Sequence, residues 1–439
     1  MKTILCALLA LVSSLWFIDL ASPTFPPNTE LLWIVRQEAM YLTGLLSITL
    51  MSLSMLLATR PGWLEKPFGG LDRIYRMHKW SGILAISFAA AHWLAELSGD
   101  IIKSMIGKVG RLPKMRYDGL LEVLRELGKD FGEPALYIML AMLVITLWRR
   151  FPYPFWRHLH RIMPVLYLML ALHSVMLSPP AYWSQPLGAL MAVFIGVGVI
   201  SSFISLSGMI GRKRQAKGTV SAVKTTGDLT EITCRIEGQW PAHQAGQFAF
   251  LTFSWLEGAH PFTIASAASE DRTMTFCIKG LGDFTKDLGQ RLQPGQSVTI
   301  EGPYGRFLLD RHSPKRRQIW VAGGIGITPF LSWLESLQSR PEEVRAADLH
   351  YCIRNRESDP FIARLQTLCA SLPGVQLHIH SAQHGEKLNA AALSLADDRK
   401  EKAEIWFCGP TGLAEALKQS LKASWNGSLR FHQEAFEMR

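Results

Sequence analysis

The sequence predicts a multidomain fold: an α-helical membrane bundle of six spans, followed by an antiparallel β-barrel and an α/β doubly wound domain. Long apolar runs dominate residues 1–210 of the 439-residue chain, and such runs are typical of membrane spans. Short strand-like segments separated by Gly and Pro follow, and the last part alternates strand-like with helical segments. These two patterns indicate a small barrel and a parallel sheet. We therefore expect domains at 1–210, 217–312 and 316–439.

Six apolar segments meet the hydropathy criterion for a membrane-spanning helix. They cover residues 3–21, 38–58, 77–98, 134–149, 162–178 and 187–210. The first segment also has features of a cleavable signal peptide, but no A-x-A site follows it, so a retained span is favoured. Between the third and fourth segments, Asp118 can cap a short amphipathic helix, which either lies on the outer membrane surface or is a simple amphipathic connector.

Basic residues are concentrated in alternate loops, with one exception: segment 99–132, on the predicted outer side, carries seven Lys or Arg. Segments 59–76, 149–161 and 211–217 carry four Lys or Arg each, whereas 22–37 carries one and 179–186 carries none. By the positive-inside rule, the basic loops and the C-terminal half face the cytoplasm of a bacterial cell, with the spans in its inner membrane. Contact with anionic membrane lipid also explains the net charge of +10, so nucleic-acid binding is not expected.

The third and fifth spans each carry two histidines at similar spacing. His78 and His92 are separated by about 21 Å along a regular helix and leave the same face of it. The fifth span contains His173 together with His158 and His160. Two histidines on each of two facing helices are typical of a bundle that holds two b-type haems by axial ligation. The six cysteines form no C-x-x-C pair, which argues against zinc, iron–sulfur clusters and covalent haem.

The partner of His173 within the fifth span is ambiguous on the residues alone. On a regular helix, His158 lies closer to the face of His173 than His160 does. However, Pro164 lies between them, and a helix interruption at a proline can re-aim His160. Both histidines therefore remain candidates at this point.

The chemistry of the C-terminal half is concentrated in its turns. HPFTIAS (260–266) and IKGLGDFT (278–285) offer hydroxyls, backbone amides and Lys279, groups that can approach a pyrophosphate closely. VAGGIGITPF (321–330) runs from a strand through glycines into a helix, the layout that binds a dinucleotide phosphate. CGP (408–410) follows another strand at the predicted carboxyl edge of the sheet, where ligands bind in such folds.

These motifs, with EGPYG (301–305) and the terminal FHQEAFEMR, resemble the ferredoxin–NADP⁺ reductase flavoprotein module. Joined to the four-histidine bundle, the chain resembles the NADPH oxidase and ferric reductase superfamily, most closely its prokaryotic members. The resemblance implies an NAD(P)H oxidoreductase with FAD, two b-type haems and NADPH or NADH. The spacing of thirteen residues in the family's fifth span implies His160, so the metal ligands would be His78, His92, His160 and His173.

The resemblance also assigns cofactor-binding residues in the C-terminal half. FAD would be held by His260, Pro261, Phe262, Thr263, Ser266, Lys279, Gly282, Asp283, Phe284 and Thr285. The nicotinamide dinucleotide would be held by Gly323, Gly324, Gly326, Thr328 and Pro329, with Cys408, Gly409 and Pro410 beside the nicotinamide. Phe436 would stack on the flavin. Arg354 and Arg356 imply NADPH over NADH, because arginine pairs well with a phosphate.

The implied activity is electron transfer from cytosolic NADPH through FAD and the haems to an external acceptor. Catalytic candidates are Cys408 and Phe436 at the flavin and, outside, Arg36 and Glu96. Arg36 resembles a basic residue of the oxidases' oxygen site, whereas Glu96 stands where the oxidases have a second histidine. The acceptor stays open between oxygen, ferric iron, and a periplasmic redox partner or quinone. A haem or redox sensor is the non-enzyme alternative, and the intact flavin and nicotinamide motifs argue against it.

Overall fold

The structure is a computed structural model that describes residues 2–20, 25–112, 117–148, 150–254, 257–308, 316–340, 346–390, 392–393, 402–425 and 428–434. The chain divides into two compact units. One comprises residues 1–68 and 73–210, and the other comprises residues 69–72 and 211–439.

The first unit is a helical bundle. Its helices are α1 (Lys2–Leu20), α2 (Leu31–Ala58), α3 (Gly62–Phe68), α4 (Leu71–Ile106), α5 (Leu120–Leu147), α6 (Tyr153–His160), α7 (Met163–Leu177) and α8 (Pro186–Leu206). Within the described residues, six segments are long and apolar enough to cross a membrane, and α6 with α7 forms the fifth. The protein is therefore a multi-pass membrane protein with six candidate spans, which confirms the predicted bundle.

The connection between the third and fourth candidate spans differs from the sequence prediction. Asp118 does not cap a separate surface helix, because Gly119 precedes α5 and α5 then runs without a break to Leu147. The residues predicted to form a separate short helix are therefore the first turns of α5, and Gly132 and Pro134 do not interrupt it. In the structure Gly132 lies against His173 of α7, and membrane helices tolerate Gly and Pro where neighbouring helices pack closely.

The second unit begins with an antiparallel sheet closed into a barrel. Its strands are β1 (Gln215–Thr226), β2 (Leu229–Ile236), β3 (Phe248–Thr252), β4 (His260–Thr263), β5 (Thr273–Lys279) and β6 (Ser297–Tyr304), in the order β4-β3-β6-β1-β2-β5. A bridge between Ile264 and Phe276 joins the two outer strands, and the Ala265 N–H donates to the Thr275 carbonyl at 2.8 Å. Two short helices, α9 (Asp283–Lys286) and α10 (Leu288–Arg291), follow β5. The predicted barrel is confirmed.

A parallel doubly wound domain follows, as predicted. It consists of β7 (Arg317–Gly323), α11 (Thr328–Gln338), β8 (Ala347–Ile353), α12 (Ile362–Ala370), β9 (Val375–Ser381), β10 (Ala403–Cys408), α13 (Thr411–Ser424) and β11 (Leu429–Glu434). The strand order is β11-β10-β7-β8-β9. The chain therefore leaves β7 in one direction and returns to its other side with β10. Ligands bind at this kind of switch point, beyond the carboxyl ends of the two strands.

The barrel and the doubly wound domain share an aromatic interface within the second unit. The ring of Phe307, just after β6, stacks on Trp333 of α11 at 5.1 Å and meets Trp406 of β10 at 5.3 Å. The Trp333 indole N–H donates to the Ala245 carbonyl at 3.1 Å. The predicted boundary between 312 and 316 falls where residues 309–315 lie outside the described residues.

Three histidines lie side by side on one face of the parallel sheet. The ring of His350 on β8 stacks against His378 of β9 at 4.7 Å, and its Nδ1 lies 3.0 Å from His380 Nε2. Asp348, on the same face, accepts a hydrogen bond from Arg317 at 2.7 Å. Burial, reinforced by the neighbouring His378, lowers the pKa of His350 to about 3.

We expect acid to destabilise this domain through His350. Its pKa is lower in the folded chain than the ordinary value of 6.5, so the stability it contributes is complete above pH 6.5 and is lost as the pH falls towards 3. At pH 5.5 the loss should be about 1.4 kcal/mol of unfolding free energy. Thermal unfolding of the full chain at pH 7.5 and 5.5 should show a smaller acid shift for His350→Phe than for wild type. His384→Gln, at an exposed histidine, should keep the wild-type shift.

Candidate functional site

The four predicted histidine ligands occur in the bundle as two pairs. The ring centres of His78 on α4 and His160 on α6 are 6.1 Å apart, with an interplanar angle of 80°. The ring centres of His92 on α4 and His173 on α7 are also 6.1 Å apart, at 78°. The structure therefore brings the four predicted ligands together as two facing pairs.

Backbone carbonyls orient three of these four rings. Nδ1 of His78 donates to the Ser54 carbonyl at 2.9 Å, and Nδ1 of His92 donates to the Met40 carbonyl at 2.8 Å. Nδ1 of His173 donates to the Gly128 carbonyl at 3.0 Å. Because a carbonyl can only accept, Nδ1 must carry the hydrogen in each case, and the lone pair is then on Nε2. This is the tautomer and the outer hydrogen bond that metal-ligating histidines use.

His160, rather than His158, is the partner of His78. The helix is interrupted after His160 and resumes at Met163, so the regular-helix alignment that favoured His158 does not apply. Pro164 lies in the first turn of α7, where a missing backbone N–H is tolerated. Within the described residues, the Nδ1 atom of His160 is buried without a hydrogen-bond partner, and the Trp156 ring stacks on the imidazole at 4.9 Å.

Three glycines make room for the pair formed by His92 and His173, and sequence reasoning missed them. A Cβ at Gly132 would lie 2.7 Å from His173 Cε1, and one at Gly128 would lie 3.3 Å from His173 Cα. A Cβ at Gly44 would lie 3.2 Å from His92 Nδ1. The signal available in the sequence was the spacing of Gly128 and Gly132, since small residues four apart mark close helix packing in membranes.

The spacing of each pair fits axial ligation of one metal ion by two imidazoles. With the ion about 2 Å from each nitrogen and each nitrogen about 1 Å from its ring centre, the ring centres should be about 6 Å apart. Both pairs have this separation. Each pair therefore offers two imidazoles, the ligands of a bis-histidine haem. Among the described residues no group of three or more His, Cys, Asp or Glu could hold a metal ion.

Two of the predicted catalytic candidates, Arg36 and Glu96, are in contact with each other beyond His92. Nη2 of Arg36 donates to the Glu96 carbonyl at 2.8 Å and lies 3.7 Å from its carboxylate. A Cβ at Gly99 would lie 2.8 Å from Arg36 Nε, so only a glycine leaves the guanidinium this position. The guanidinium of Arg111 lies 5.2 Å from the Trp33 ring centre. Arg36, Arg111 and Glu96 thus supply hydrogen-bond donors and both positive and negative charge at this end of the bundle.

In the second unit, the turns after β7 and β10 pack against each other at the switch point. A Cβ at Gly326 would overlap the Cys408 carbonyl, and one at Gly323 would lie 2.7 Å from Pro410 Cδ. Thr328 begins α11, and its hydroxyl donates to the Ile325 carbonyl at 3.1 Å. The structure thus gathers the predicted nicotinamide-nucleotide residues at the edge where a dinucleotide binds in this fold: Gly323, Gly324, Gly326, Thr328, Pro329, Cys408, Gly409 and Pro410.

A buried carboxyl group, which sequence reasoning missed, lies beside Cys408. Glu434 on β11 pairs in register with Cys408 on β10. Burial raises the pKa of the Glu434 carboxyl well above its ordinary value, and burial likewise raises the pKa of the Cys408 thiol. Within the described residues, Glu434 Oε2 is buried without a hydrogen-bond partner. The available signal was a glutamate two residues before Phe436, which itself lies outside the described residues.

The predicted flavin residues line one end of the barrel. His260 at the start of β4 stacks on Phe284 with ring centres 3.8 Å apart, and Phe262 packs against the barrel core. Pro261 and Thr263 lie on β4 and pair with Phe250 and Phe248 of β3. The Ser266 hydroxyl accepts from the Thr275 N–H at 3.1 Å.

The neighbouring loop is held by its own hydrogen bonds. The Thr285 hydroxyl accepts the N–H groups of Leu281 and Gly282 at 2.9 and 3.1 Å. Lys279 lies 3.4 Å from the carboxylate of Asp228. Thr285 therefore shapes the loop at Gly282, and Lys279 is paired with a carboxylate within its own unit.

The two predicted phosphate-binding arginines differ in their surroundings. Both follow β8, at the carboxyl edge of the sheet. Arg354 is exposed, whereas Nη2 of Arg356 donates to the Glu386 carboxylate at 2.9 Å and to the Ile379 carbonyl at 2.8 Å.

Comparison with known proteins covers all three parts of the chain in order. Residues 43–171 match the family model of the ferric reductase like transmembrane component. Residues 214–307 match an FAD-binding domain, and residues 320–419 match the oxidoreductase NAD-binding domain.

Curated relatives resemble the chain over part of its length. The vanillate O-demethylase oxidoreductase of a Pseudomonas species is 32% identical over 166 residues, 37% of this chain and 50% of the relative. The carnitine monooxygenase reductase subunit of Escherichia coli is 36% identical over 131 residues, 30% of this chain and 38% of the relative. The chain thus spans half or less of the length of these relatives. A crystal structure of a ferredoxin NADP⁺ reductase from Neisseria gonorrhoeae is 17% identical and covers 50% of this chain and 98% of its own, with a TM-score of 0.41.

Together, the fold and the matches define a membrane bundle joined to an FAD- and nicotinamide-nucleotide-binding reductase module. The chain belongs to the NADPH oxidase and ferric reductase superfamily. It has the domains of an NAD(P)H-dependent oxidoreductase of the ferric reductase type, as the sequence motifs indicated.

Proposed function

We propose that this protein transfers electrons from NAD(P)H, through its flavin domain, across a bacterial inner membrane to an acceptor on the external face. The observation that carries the proposal is the presence of two histidine pairs on the shared helix α4, each with ring centres 6.1 Å apart. FAD would accept hydride and release single electrons, and two b-type haems would carry them across the bilayer.

The bundle supplies position and orientation for this path. His78 and His92 are separated by about 21 Å along α4, a large part of a hydrocarbon core about 30 Å thick. The carbonyls of Ser54, Met40 and Gly128 hold three of the rings in the ligating tautomer. Because these acceptors belong to helix backbones, they limit rotation of the rings and favour one fixed ligand geometry.

The orientation in the membrane is supported by the distribution of charge. The basic segments 59–76, 149–161 and 211–217 all lie on one side of the six spans. By the positive-inside rule that side is cytoplasmic, where NAD(P)H is available to the reductase module. His78 and His160 would then lie nearer the cytoplasm, and His92 and His173 nearer the outside.

The donor would bind at the switch point of the doubly wound domain. The turns at 323–327 and 408–410 lie together there, which supports binding of the nicotinamide end next to Cys408. The exposed Arg354 supports contact with the 2′-phosphate of NADPH, because arginine pairs well with a phosphate.

We propose oxygen as the external acceptor, with superoxide as the product. The guanidinium of Arg36 supports this proposal, since it contacts Glu96, one helix turn after His92, and a cation there would attract an anionic product. Ferric chelates and a periplasmic redox partner or quinone are the alternative acceptors. A haem or redox sensor without turnover is the alternative from another class.

The purified protein, supplied with FAD and haem, should oxidise NADPH in air and reduce cytochrome c in a reaction that superoxide dismutase abolishes. Ferric chelates added in the absence of oxygen test the second class of acceptor. If the protein reduces these chelates rapidly without oxygen but turns over slowly in air, the oxygen assignment is overturned. Absence of turnover with oxygen, ferric chelates and a soluble quinone would overturn the enzyme assignment and favour a sensor.

A further inference from the structure

The carboxylate of Glu386, in the turn after β9, forms an ion pair with Arg356. Arg356 is one of the two arginines that the sequence predicted to contact the phosphate end of the nucleotide. Nη2 of Arg356 lies 3.1 and 2.9 Å from the two carboxylate oxygens of Glu386. The same nitrogen donates to the Ile379 carbonyl at 2.8 Å. The guanidinium is therefore held by acceptors of its own domain before any ligand arrives.

The turn that carries Glu386 is itself fixed to the end of β8. The Ser381 N–H donates to the Glu386 carboxylate at 2.8 Å, and the Glu386 N–H donates back to the Ser381 carbonyl at 3.1 Å. The Arg354 carbonyl accepts from the Gln383 N–H at 3.1 Å. The Ser381 N–H and then the Arg356 guanidinium lower the pKa of Glu386, so the carboxylate is ionised at neutral pH.

This place in the fold is where the two nicotinamide nucleotides differ. β8 neighbours β7 at the carboxyl edge of the sheet, and groups at this edge contact the ribose that carries a 2′-hydroxyl in NADH and a 2′-phosphate in NADPH. A carboxylate accepts a hydrogen bond from the hydroxyl, whereas it repels a phosphate group with a charge near −2. An arginine has the opposite preference.

We propose that Glu386 is a specificity-determining residue that lowers the preference for NADPH by pairing with Arg356. Arg354 is then the guanidinium that meets the 2′-phosphate, and Glu386 is the acceptor that meets the 2′-hydroxyl of NADH. The inference rests on the proposed NAD(P)H site and goes beyond it, because it assigns opposing roles to Arg354 and Glu386. The chain is accordingly able to use both nucleotides.

The test compares Glu386→Gln with Glu357→Gln in the full-length protein. Glutamine keeps an oxygen that can accept the Ser381 N–H but removes the charge that holds Arg356. Glu357 is an exposed carboxylate one residue after Arg356, so its variant controls for loss of charge near the same arginine. Each variant is assayed for kcat/KM with NADPH and with NADH, and for equilibrium binding of 2′,5′-ADP and 5′-AMP.

In Glu386→Gln, the ratio of kcat/KM for NADPH to kcat/KM for NADH should rise roughly two- to fivefold, because an exposed ion pair contributes a free energy of that size. The ratio of the affinity for 2′,5′-ADP to that for 5′-AMP should rise with it. Glu357→Gln should change neither ratio by as much. In an Arg356→Gln background, Glu386→Gln should have a smaller effect, because the arginine it releases is absent.

The outcomes distinguish failure of the specificity role of Glu386 from failure of the proposed NAD(P)H site. If either analogue binds and Glu386→Gln shifts the ratios no more than Glu357→Gln does, the specificity role is wrong and the nucleotide site stands. If the wild-type protein binds neither analogue and oxidises neither nucleotide, the proposed site itself is overturned together with the inference.

Discussion

His92→Ala and His173→Ala should each halve the haem content of the purified protein. The two imidazoles form one pair with ring centres 6.1 Å apart, so removal of either leaves a site with a single protein ligand while the pair at His78 and His160 stays intact. The haem-to-protein ratio by the pyridine haemochrome assay, with a reductive titration that resolves one or two components, measures the effect. NADPH-driven reduction of external acceptors should fall to background.

Two controls make this result specific to the ligand geometry. His158→Ala should retain both haems, whereas His160→Ala should lose one, because His160 faces His78 in the structure. Gly132→Ala should lower outer-haem occupancy by pressing on the His173 ring, while Gly196→Ala, whose Cβ would meet nothing within 4 Å, should not. Loss of haem in His158→Ala with full retention in His160→Ala would contradict the assignment.

Gly326→Ala should strongly reduce NAD(P)H oxidation while leaving the haem content unchanged. The new Cβ would lie 2.6 Å from the carbonyl carbon of Cys408 and 2.9 Å from the Gly409 nitrogen, both of which are backbone atoms that cannot rotate away. The turns after β7 and β10 would have to separate, and overpacking of this kind costs about 1–3 kcal/mol. We expect kcat/KM for NADPH to fall by about tenfold or more.

Gly412→Ala is the matched control, since a Cβ there would meet nothing within 4 Å. Chemical reduction of the haems by dithionite should be the same in both variants and in wild type, which separates a defect at the nucleotide site from damage to the bundle. Wild-type NADPH oxidation by Gly326→Ala would show that the two turns need not pack closely for the reaction.

The elements that follow from local pattern were predictable from the sequence. Long apolar runs indicated the six spans, and alternating strand-like and helical segments indicated the doubly wound domain that the structure contains. The distance between His78 and His92 along the helix was also predictable, because a regular helix of known rise and twist connects them. The glycine turn at 323–327 was predictable because a strand, a tight turn and a helix follow one another along the chain.

The predictions that failed or stayed open depended on contacts between distant segments. Regular-helix arithmetic favoured His158, but the break after His160 decides which imidazole faces α4. The short helix predicted after Asp118 is part of one continuous α5, in which Gly132 packs against α7. Arg356 carried a phosphate-binding prediction, yet its partner Glu386 is thirty positions away in sequence and could not be matched to it beforehand.

The sequence by itself determined the order of the domains, the histidine and glycine motifs, and the family to which they point, because these depend on periodicity and on residue types at fixed spacing. Only the tertiary structure decided which histidines face each other and which arginine forms an ion pair with a carboxylate. It also decided that Glu434 is buried beside Cys408. Burial and pairing depend on the approach of elements that are remote in the chain, and no local pattern encodes that approach.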